Sequence, residues 1–475
     1  MEQLQKILSM LVTADENWTF LSLQFFALFL LFYLFFIILS PAKRVYRKIY
    51  VVAFSLFFAY KGGGLWFLLP AITVVSWLLT RLMGRAEHNR RLLCSITIIV
   101  TLAPLVALRY IHSSLLIPIG ISFFTLQAIS YTVDVYRKKF RNDASFVDYS
   151  FFLTFFPLLL AGPITRAEVL IGSESNDKKK QSSDEGERQM LVSTGLWLII
   201  VGIIKKAAIA DYIAQYNDMV FLSPETYNSV EVIMAVLGYS LQIFFDFSGY
   251  SDMAIGLAAL MGYQLPANFR QPYQSLSLTD FWHRWHIALS SWLRDYVYIP
   301  LGGNRTHRLK HYFNIVITML VAALWHGSTL MFMIWGGLHA VGLIVNKAFS
   351  PLLKGLKNSV LFNALSWLLT FVFVTFAWIF FRSPDISHAA QMITSACSFV
   401  SIVDIFMFVQ ARGTLVVVMF LGILLLTVRG SHADWIAKTF CKMPFLLKLI
   451  IFIAAVQLAI NSSSGTIVPF IYSHF

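Results

Sequence analysis

The chain has 475 residues, of which 58% are hydrophobic and 13% are charged. Soluble domains carry about a quarter charged residues, so this composition excludes an ordinary soluble protein and indicates an integral membrane protein. The formal net charge of +13 does not indicate nucleic-acid binding, because Lys and Arg form short clusters between apolar runs, as cytoplasmic loops do. Cys94, Cys397 and Cys441 are odd in number and widely spaced, which favours buried free thiols over disulfides or a thiolate metal site.

Apolar runs recur along the whole chain, and a helix needs about 20 such residues to cross a bilayer. They predict ten to twelve membrane segments, with the first kept as an anchor, in one membrane-embedded domain over residues 1–475. Three basic clusters are each separated by two apolar runs, which predicts cytoplasmic loops at all three and an outside start. The runs are 18–39, 49–69, 66–80, 92–110, 114–135, 190–210, 230–247, 311–328, 331–346, 360–381, 414–428 and 445–460, and the clusters are 43–48, 81–91 and 137–141.

Two segments between these runs break the pattern. Residues 146–163 contain FFP and AGP and lie between charged stretches, which predicts a re-entrant or broken segment covered by protein. Residues 172–189 mix acidic and basic side chains without apolar periodicity, which predicts a solvated, disordered cytoplasmic loop.

The most polar region, 264–311, is predicted to lie at the membrane interface. Within it, 278–300 is predicted to form one amphipathic helix that mixes Trp and Tyr with Arg. A helical wheel turns His286 toward the apolar arc and His283 toward the polar face. His286 is therefore a functional candidate or a hydrogen-bonded structural residue, and His283 is expected to be solvated.

His326 ends a strongly apolar run, where an ionisable side chain indicates function. Its helical neighbours Ala322, Ala323, Gly327 and Thr329 are small and are predicted to leave room beside the ring. A neutral imidazole is the side chain best matched to remove a hydroxyl proton near neutral pH. The alternative is a histidine that only packs one helix against another.

Other chemistry is weakly indicated. No HExxH, GxSxG or phosphate-binding Gly-rich loop is present in the sequence, and a metal held by His283, His286 and His326 lacks Cys or carboxylate partners. Asp246 and Asp252 lie in an aromatic stretch, where each carboxylate needs a partner. Arg270, Arg284, Arg294 and Arg305 are the predicted partners, and donor binding by Asp246 is the alternative.

Several long motifs resemble the membrane-bound O-acyltransferase family, and within it bacterial alginate O-acetyltransferases. The motifs are DFWHRWHIALS at 280–290, WLRDYVYIPLGGNR at 292–305, LWHG at 324–327, QIFFDFSGYSD at 242–252, AGPI at 161–164 and PFIY at 469–472. The resemblance implies an all-α fold of about eleven transmembrane helices with re-entrant segments around a central tunnel. It matches the family's invariant histidine to His326 and a second polar position to His286. It carries nothing onto His283 and leaves His339 as a packing residue.

The resemblance also implies an activity. A cytosolic thioester, acetyl-CoA or an acyl carrier, would donate an acyl group to an extracytoplasmic polysaccharide or a relay partner, with no bound cofactor. Arg284 and Arg294 would help admit an anionic donor, and a secreted or membrane-tethered partner and an inner-membrane location are expected. The alternatives are D-alanyl transfer to teichoic acid, peptidoglycan O-acetylation, or a transporter, although the sequence has no evident inverted repeat.

Overall fold

The computed structural model describes residues 18–39, 43–110, 117–160, 162–172, 185–352, 355, 359–428 and 430–462. This part of the chain contains helices and no strand, as the family resemblance implies. It divides into two compact units. The first holds residues up to Leu196 together with Met253–Pro266, and the second holds Trp197–Asp252 and the chain from Ala267. The single membrane-embedded domain expected over residues 1–475 stays a prediction.

In the described residues, the first unit contains seven whole α-helices, the beginning of an eighth and the last residues of the later helix Ser229–Leu260. The α2 helix packs against α6 and α7, and α4 packs against α3 and α5. A short π-helical turn follows at Glu168–Gly172. The helices are α1 Leu23–Ile38, α2 Arg44–Lys61, α3 Leu68–Arg85, α4 Arg90–Tyr110, α5 Ile121–Tyr136, α6 Phe146–Thr154, α7 Phe156–Leu160 and α8 Glu185–Ile203.

The predicted break in 146–163 is present between α6 and α7. Ser145 begins α6 with a reciprocal capping box, and the helix stops at Phe155, before Pro157. The freed N–H of Phe156 donates to Ser55 Oγ on α2 at 3.1 Å, and both residues are fully buried. A neighbouring side chain thus satisfies the interrupted backbone, as a break at membrane depth requires.

The second unit begins in α8, which continues through a π-helical segment, Ile204–Ala210. The 32-residue α10 ends in the first unit. The helices are α9 Asp211–Leu222, α10 Ser229–Leu260, α11 Leu278–Arg284, α12 Ile287–Leu293, α13 Arg308–His326, α14 Leu330–Phe349, α15 Val360–Arg382, α16 Ile386–Ala396, α17 Ile402–Ala411, α18 Gly413–Thr427, α19 Gly430–Lys442 and α20 Phe445–Ser462. Short 3-10 turns lie at Pro224–Thr226 and Pro272–Gln274.

The single amphipathic helix predicted for 278–300 is wrong. Trp285 is extended and His286 is left-handed, so α11 and α12 are separate, and a π-helical turn follows at Arg294–Tyr298. The break is held by the preceding loop, because the amide of Ile287 donates to the carbonyl of Asn268 at 2.9 Å. The apolar side chains of this segment are nevertheless buried, namely Leu278, Phe281, Trp282, Trp285, Leu289, Trp292 and Leu293.

Six helices of the described chain are long and apolar enough to cross a membrane, or seven if α17 and α18, bent by 93°, form one broken span. The six are Arg90–Tyr110, Glu185–Leu222, Ser229–Leu260, Leu330–Phe349, Val360–Arg382 and Phe445–Ser462. The protein is therefore a polytopic membrane protein. The count of about eleven spans and the central tunnel stay predictions. The α1 helix has only 16 residues and is therefore not among the six.

Some predictions fall wholly or partly outside the described residues. Of the predicted loop 172–189, residues 173–184 are not described, and α8 already begins at Glu185. Ala161 and the closing PFIY motif are also outside them. The prediction of buried thiols holds for Cys94, whereas Cys397 is exposed and Cys441 is partly exposed.

Candidate active site

His326 is the last residue of α13 and is only 2% exposed. The helix ends because Gly327 adopts an extended backbone, with φ 179° and ψ 171°, and α14 begins three residues later at Leu330. The candidate base thus lies inside a tight turn between two packed helices and not in the middle of a span.

Among the described residues, four aromatic rings contact the His326 imidazole. Ring centroids lie 4.9 Å away for Trp325, 5.1 Å for Trp335 and 5.2 Å for Phe381, all edge-on. Phe332 stacks on the ring at 6.4 Å with an interplanar angle of 23°. The imidazole is consequently buried, with aromatic side chains against it.

The small residues near His326 do not leave the predicted open space. A Cβ at Gly327 would lie 2.2 Å from the Phe332 ring, so the space beside that glycine is already occupied by an aromatic side chain. A Cβ at Gly336 would lie 2.7 Å from the Cβ of Ala323, so α13 and α14 cross in close contact there. The small side chains serve helix packing, and that packing presses aromatic rings against the histidine.

The four rings that contact His326, those of Trp325, Phe332, Trp335 and Phe381, form an aromatic layer. His286 is fully buried and lies against this layer through Trp325. Its Nδ1 accepts from the amide of Leu289 at 3.4 Å and so caps α12, and it also lies 3.2 Å from Asn268 Oδ1 in the preceding loop. Its ring centroid is 4.6 Å from that of Phe247 and 5.8 Å from that of Trp325. Burial lowers the pKa of His286 to about 3, so the ring is neutral at physiological pH.

His286 Nε2 has no hydrogen-bond partner in the described part of the chain. It is the nitrogen left for other chemistry. Trp325 is adjacent to His326 and in contact with His286, so one indole connects the two histidines named from the sequence.

The other two histidines differ from each other. His283 is exposed, as predicted, whereas His339 is fully buried and its Nδ1 accepts a hydrogen bond from the Trp282 indole at 3.3 Å. Among the described residues no group of three His, Cys, Asp or Glu side chains is arranged to hold a metal ion.

The predicted arginine partners of Asp246 are wrong. Its carboxylate pairs with Lys206 Nζ at 2.6 Å, and the same ammonium pairs with Asp211 at 2.6 Å, all three side chains being less than 10% exposed. Asp252 pairs with Lys205, also at 2.6 Å. The partners come from the π-helical segment after α8.

The two arginines predicted to admit a donor pair with carboxylates close in sequence. Arg284 Nε binds Asp280 at 2.8 Å and Arg294 Nε binds Asp295 at 2.8 Å. Arg294 is 63% exposed, which keeps it available to solvent and headgroups. Neither pairing brings an arginine into the aromatic layer around His326.

A cavity of about 220 Å³ lies elsewhere, between α9 and the bend that joins α17 to α18. Arg412 lies over the Tyr216 ring at 5.5 Å on its wall. None of the histidines discussed above lines it, so we do not assign it to the site. Its lining residues are Tyr212, Gln215, Tyr216, Met219, Ala411, Arg412, Gly413, Thr414 and Leu415.

Sequence reasoning missed three residues of this region. Lys206 carried a usable signal, because two consecutive lysines inside an apolar run require buried partners. Asn268 carried none, since an Asn in a polar loop is ordinary. Trp335 was passed over because an aromatic residue in an apolar helix is expected to be core.

The helices and the site together define a polytopic, all-helical membrane protein in which two histidines are buried among aromatic rings. The family model of the membrane-bound O-acyltransferase family matches residues 106–383. The chain belongs to that family.

Curated relatives carry three different acceptors in their names. A probable alginate O-acetylase of Pseudomonas syringae pv. tomato is 40% identical over 61% of this chain and 54% of its own length. A peptidoglycan O-acetyltransferase of Helicobacter pylori is 37% identical over 59% and 56%. A teichoic acid D-alanyltransferase of Bacillus subtilis is 28% identical over 57% and 70%. The chain therefore spans just over half the length of the first two relatives.

Proposed function

We propose that the protein is an O-acyltransferase that moves an acyl group, in the first place acetyl, from a cytosolic thioester to a hydroxyl group outside the cytoplasm. The observation that carries the proposal is the burial of His326, 2% exposed within four aromatic rings in a chain of this family. Imidazole is the side chain best matched to remove a hydroxyl proton near neutral pH, as a general base in this reaction must.

In this reaction His326 removes the proton of the acceptor hydroxyl while the oxygen attacks the thioester carbonyl carbon. The carbon–sulfur bond then breaks, and the thiolate takes the proton back from the imidazolium. The histidine ends the cycle neutral, and no metal or bound cofactor is required by the balance of atoms.

His286 has a different role in the proposal. Its Nδ1 is engaged by Asn268 and Leu289, so Nε2 is left to form a hydrogen bond with the donor or acceptor. A fixed neutral imidazole orients a substrate without taking part in net proton transfer. Arg284 and Arg294 would attract the anionic part of the donor at the membrane surface.

The donor we propose is acetyl-CoA, with an acyl-carrier thioester as the alternative. The acceptor is a cell-surface polysaccharide, or a secreted or membrane-tethered partner that relays the acyl group, and the location is the inner membrane. The relatives named for alginate and peptidoglycan O-acetylation support acetyl transfer, and the one named for teichoic acid supports D-alanyl transfer as the alternative.

The test compares wild-type protein with His326→Ala in membrane vesicles. Each is supplied with radiolabelled acetyl-CoA or with a charged acyl-carrier protein, and label on polymer is measured. We expect His326→Ala to insert normally and to lose about 10²–10⁴-fold in rate. His283→Ala is the matched control, because that histidine is exposed and should leave transfer unchanged. Transfer at the wild-type rate by His326→Ala would refute the proposal.

A further inference from the structure

Besides Nε2 of His286, two ring nitrogens of buried side chains close to His326 have no hydrogen-bond partner within the described part of the chain. They are Nε1 of Trp335 and Nε2 of His339, and both side chains are fully buried. Buried polar groups in folded proteins are almost always hydrogen-bonded, and the exceptions concentrate where a ligand or a reacting group completes the set. An acceptor is therefore missing at this place.

Nε2 of His339 carries the ring hydrogen and can donate a hydrogen bond. Its Nδ1 accepts the Trp282 indole hydrogen at 3.3 Å, and indole nitrogen can only donate. A neutral imidazole with an acceptor at Nδ1 carries its proton at Nε2. His339 and Trp335 thus each present an N–H group.

The two donors are neighbours on one helix, and Trp335 is the one that contacts the candidate base. They are four residues apart on α14 and so share one helix face. The Trp335 ring centroid is 5.0 Å from that of His339 and 5.1 Å from that of His326. The close crossing of α13 and α14 at Gly336 fixes this spacing.

Packing holds both rings in place. Trp335 stacks on Trp378 at 6.0 Å with an interplanar angle of 17°. His339 is enclosed by Trp282 at 5.2 Å and Phe373 at 5.7 Å. The N–H groups are therefore oriented before any ligand arrives, which is the condition for electrostatic stabilisation of a transition state.

We propose that Trp335 Nε1–H and His339 Nε2–H form the oxyanion site for the thioester carbonyl, an inference that rests on the function proposed above. When the acceptor oxygen bonds to the carbonyl carbon, the C=O electron pair moves onto oxygen, and the two N–H groups donate to that oxygen. The pair returns to re-form C=O as the carbon–sulfur bond breaks. The thiolate leaves with the proton that His326 had taken from the hydroxyl.

These two residues complement His326 and do not duplicate it. An indole cannot accept a proton at neutral pH, and His339 uses its one acceptor nitrogen on Trp282. In the proposal His326 removes the proton, and Trp335 and His339 stabilise the negative charge that develops on the carbonyl oxygen. Both tasks are needed in a site that excludes water.

The first test replaces Trp335 by Phe, which removes the N–H and keeps an aromatic ring. Trp378→Phe is the matched control, because its indole is equally buried in the same stack but donates to Tyr273 Oη at 3.2 Å. With radiolabelled acetyl-CoA as donor, we expect Trp335→Phe to lower kcat about 10²–10³-fold with little change in KM. Both variants lose buried indole volume, but only Trp378→Phe also breaks a hydrogen bond, so its thermal unfolding midpoint should fall more. Trp378→Phe keeps an aromatic ring against Trp335 and both proposed donors, so it should lower kcat far less than Trp335→Phe.

The second test uses His339, in case Trp335→Phe does not accumulate. Gln offers an oxygen to Trp282 and an N–H to the carbonyl, whereas Leu offers neither, so His339→Gln should retain at least about 10-fold more kcat than His339→Leu. Equal rates for these two variants, or equal kcat for Trp335→Phe and Trp378→Phe, would overturn the oxyanion site while wild-type transfer and loss in His326→Ala left the proposed function standing. A wild-type protein without transfer from any thioester would overturn both.

Discussion

Replacing Lys206 by Met should destabilise the protein strongly, because one ammonium holds two buried carboxylates. Lys206 is 0% exposed, and its Nζ lies 2.6 Å from both Asp211 and Asp246. It also lies 5.6 Å from the Tyr250 ring centroid, so its charge is further stabilised by the π face. Methionine preserves much of the length and removes the charge.

The magnitude follows from the distances. Two unit charges 2.6 Å apart attract by about 6 kcal/mol at an effective dielectric constant of about 20. Desolvation of the three groups and repulsion between the carboxylates offset much of the attraction, and removing one partner of a buried ion pair typically costs about 3–5 kcal/mol. We expect a loss in that range for Lys206→Met.

The assay is unfolding of the detergent-solubilised protein followed by Trp fluorescence. Lys205→Met is the matched control, because Lys205 and Asp252 are 23% and 19% exposed and their pair should contribute about 1 kcal/mol or less. The triple variant Lys206→Met, Asp211→Asn, Asp246→Asn should recover most of the loss, since no uncompensated charge remains. Equal stability of Lys206→Met and Lys205→Met, or no recovery in the triple variant, would refute the reasoning.

Three further changes have defined outcomes. His286 has φ +41° and caps α12, so His286→Asn should keep the turn, whereas His286→Ala should lose about 1–2 kcal/mol of stability. The pKa of His286 is lowered from 6.5 to about 3, so between those pH values only the unfolded chain binds this proton, and stability falls as the pH drops below 6.5. His286→Asn removes this titration and should flatten the fall by about 1.4 kcal/mol per pH unit, measured as the free energy of unfolding against pH. Ser55→Ala should cost about 1–3 kcal/mol by leaving the Phe156 amide without an acceptor, measured as a lower unfolding midpoint. Gly327→Ala should displace the Phe332 ring from His326 and lower both stability and transfer rate, measured on the same preparation.

Controls separate these effects from general damage. Thr97→Val removes a buried hydroxyl whose bond runs to Leu93 within its own helix, so it should cost less than Ser55→Ala. A pH slope that is identical in wild type and His286→Asn would contradict the neutral state assigned to His286. Gly337→Ala is the control for Gly327→Ala, since a Cβ there meets no atom within 4 Å.

The sequence predicted the helical class, the broken segment before Pro157 and the burial of His286 and His326, because each depends on local apolarity and punctuation. It placed His286 inward for a wrong reason. A helical wheel assumes continuous α geometry, and the left-handed turn at His286 depends on hydrogen bonds from a loop 18 residues earlier. Contacts of that kind leave no periodic signal.

Partner choice was the main failure. Arginines near Asp246 in the motif region were plausible, but the ammonium of Lys206 comes from another helix, 40 positions away. Small residues beside His326 were read as open space because a sequence shows side-chain size and not what fills the gap. At Gly327 the gap is filled by Phe332, which lies five residues further along the chain.

The closed ring of aromatic side chains around His326 has a consequence for side reactions. A thioester beside a general base would be hydrolysed if water had free access, and the donor would be consumed without acylating anything. Phe332 and Phe381 meet edge to face at 5.1 Å, and both rings lie against the imidazole. In the proposed reaction this packing would keep water away from the thioester, so that the acceptor hydroxyl is the nucleophile the base meets.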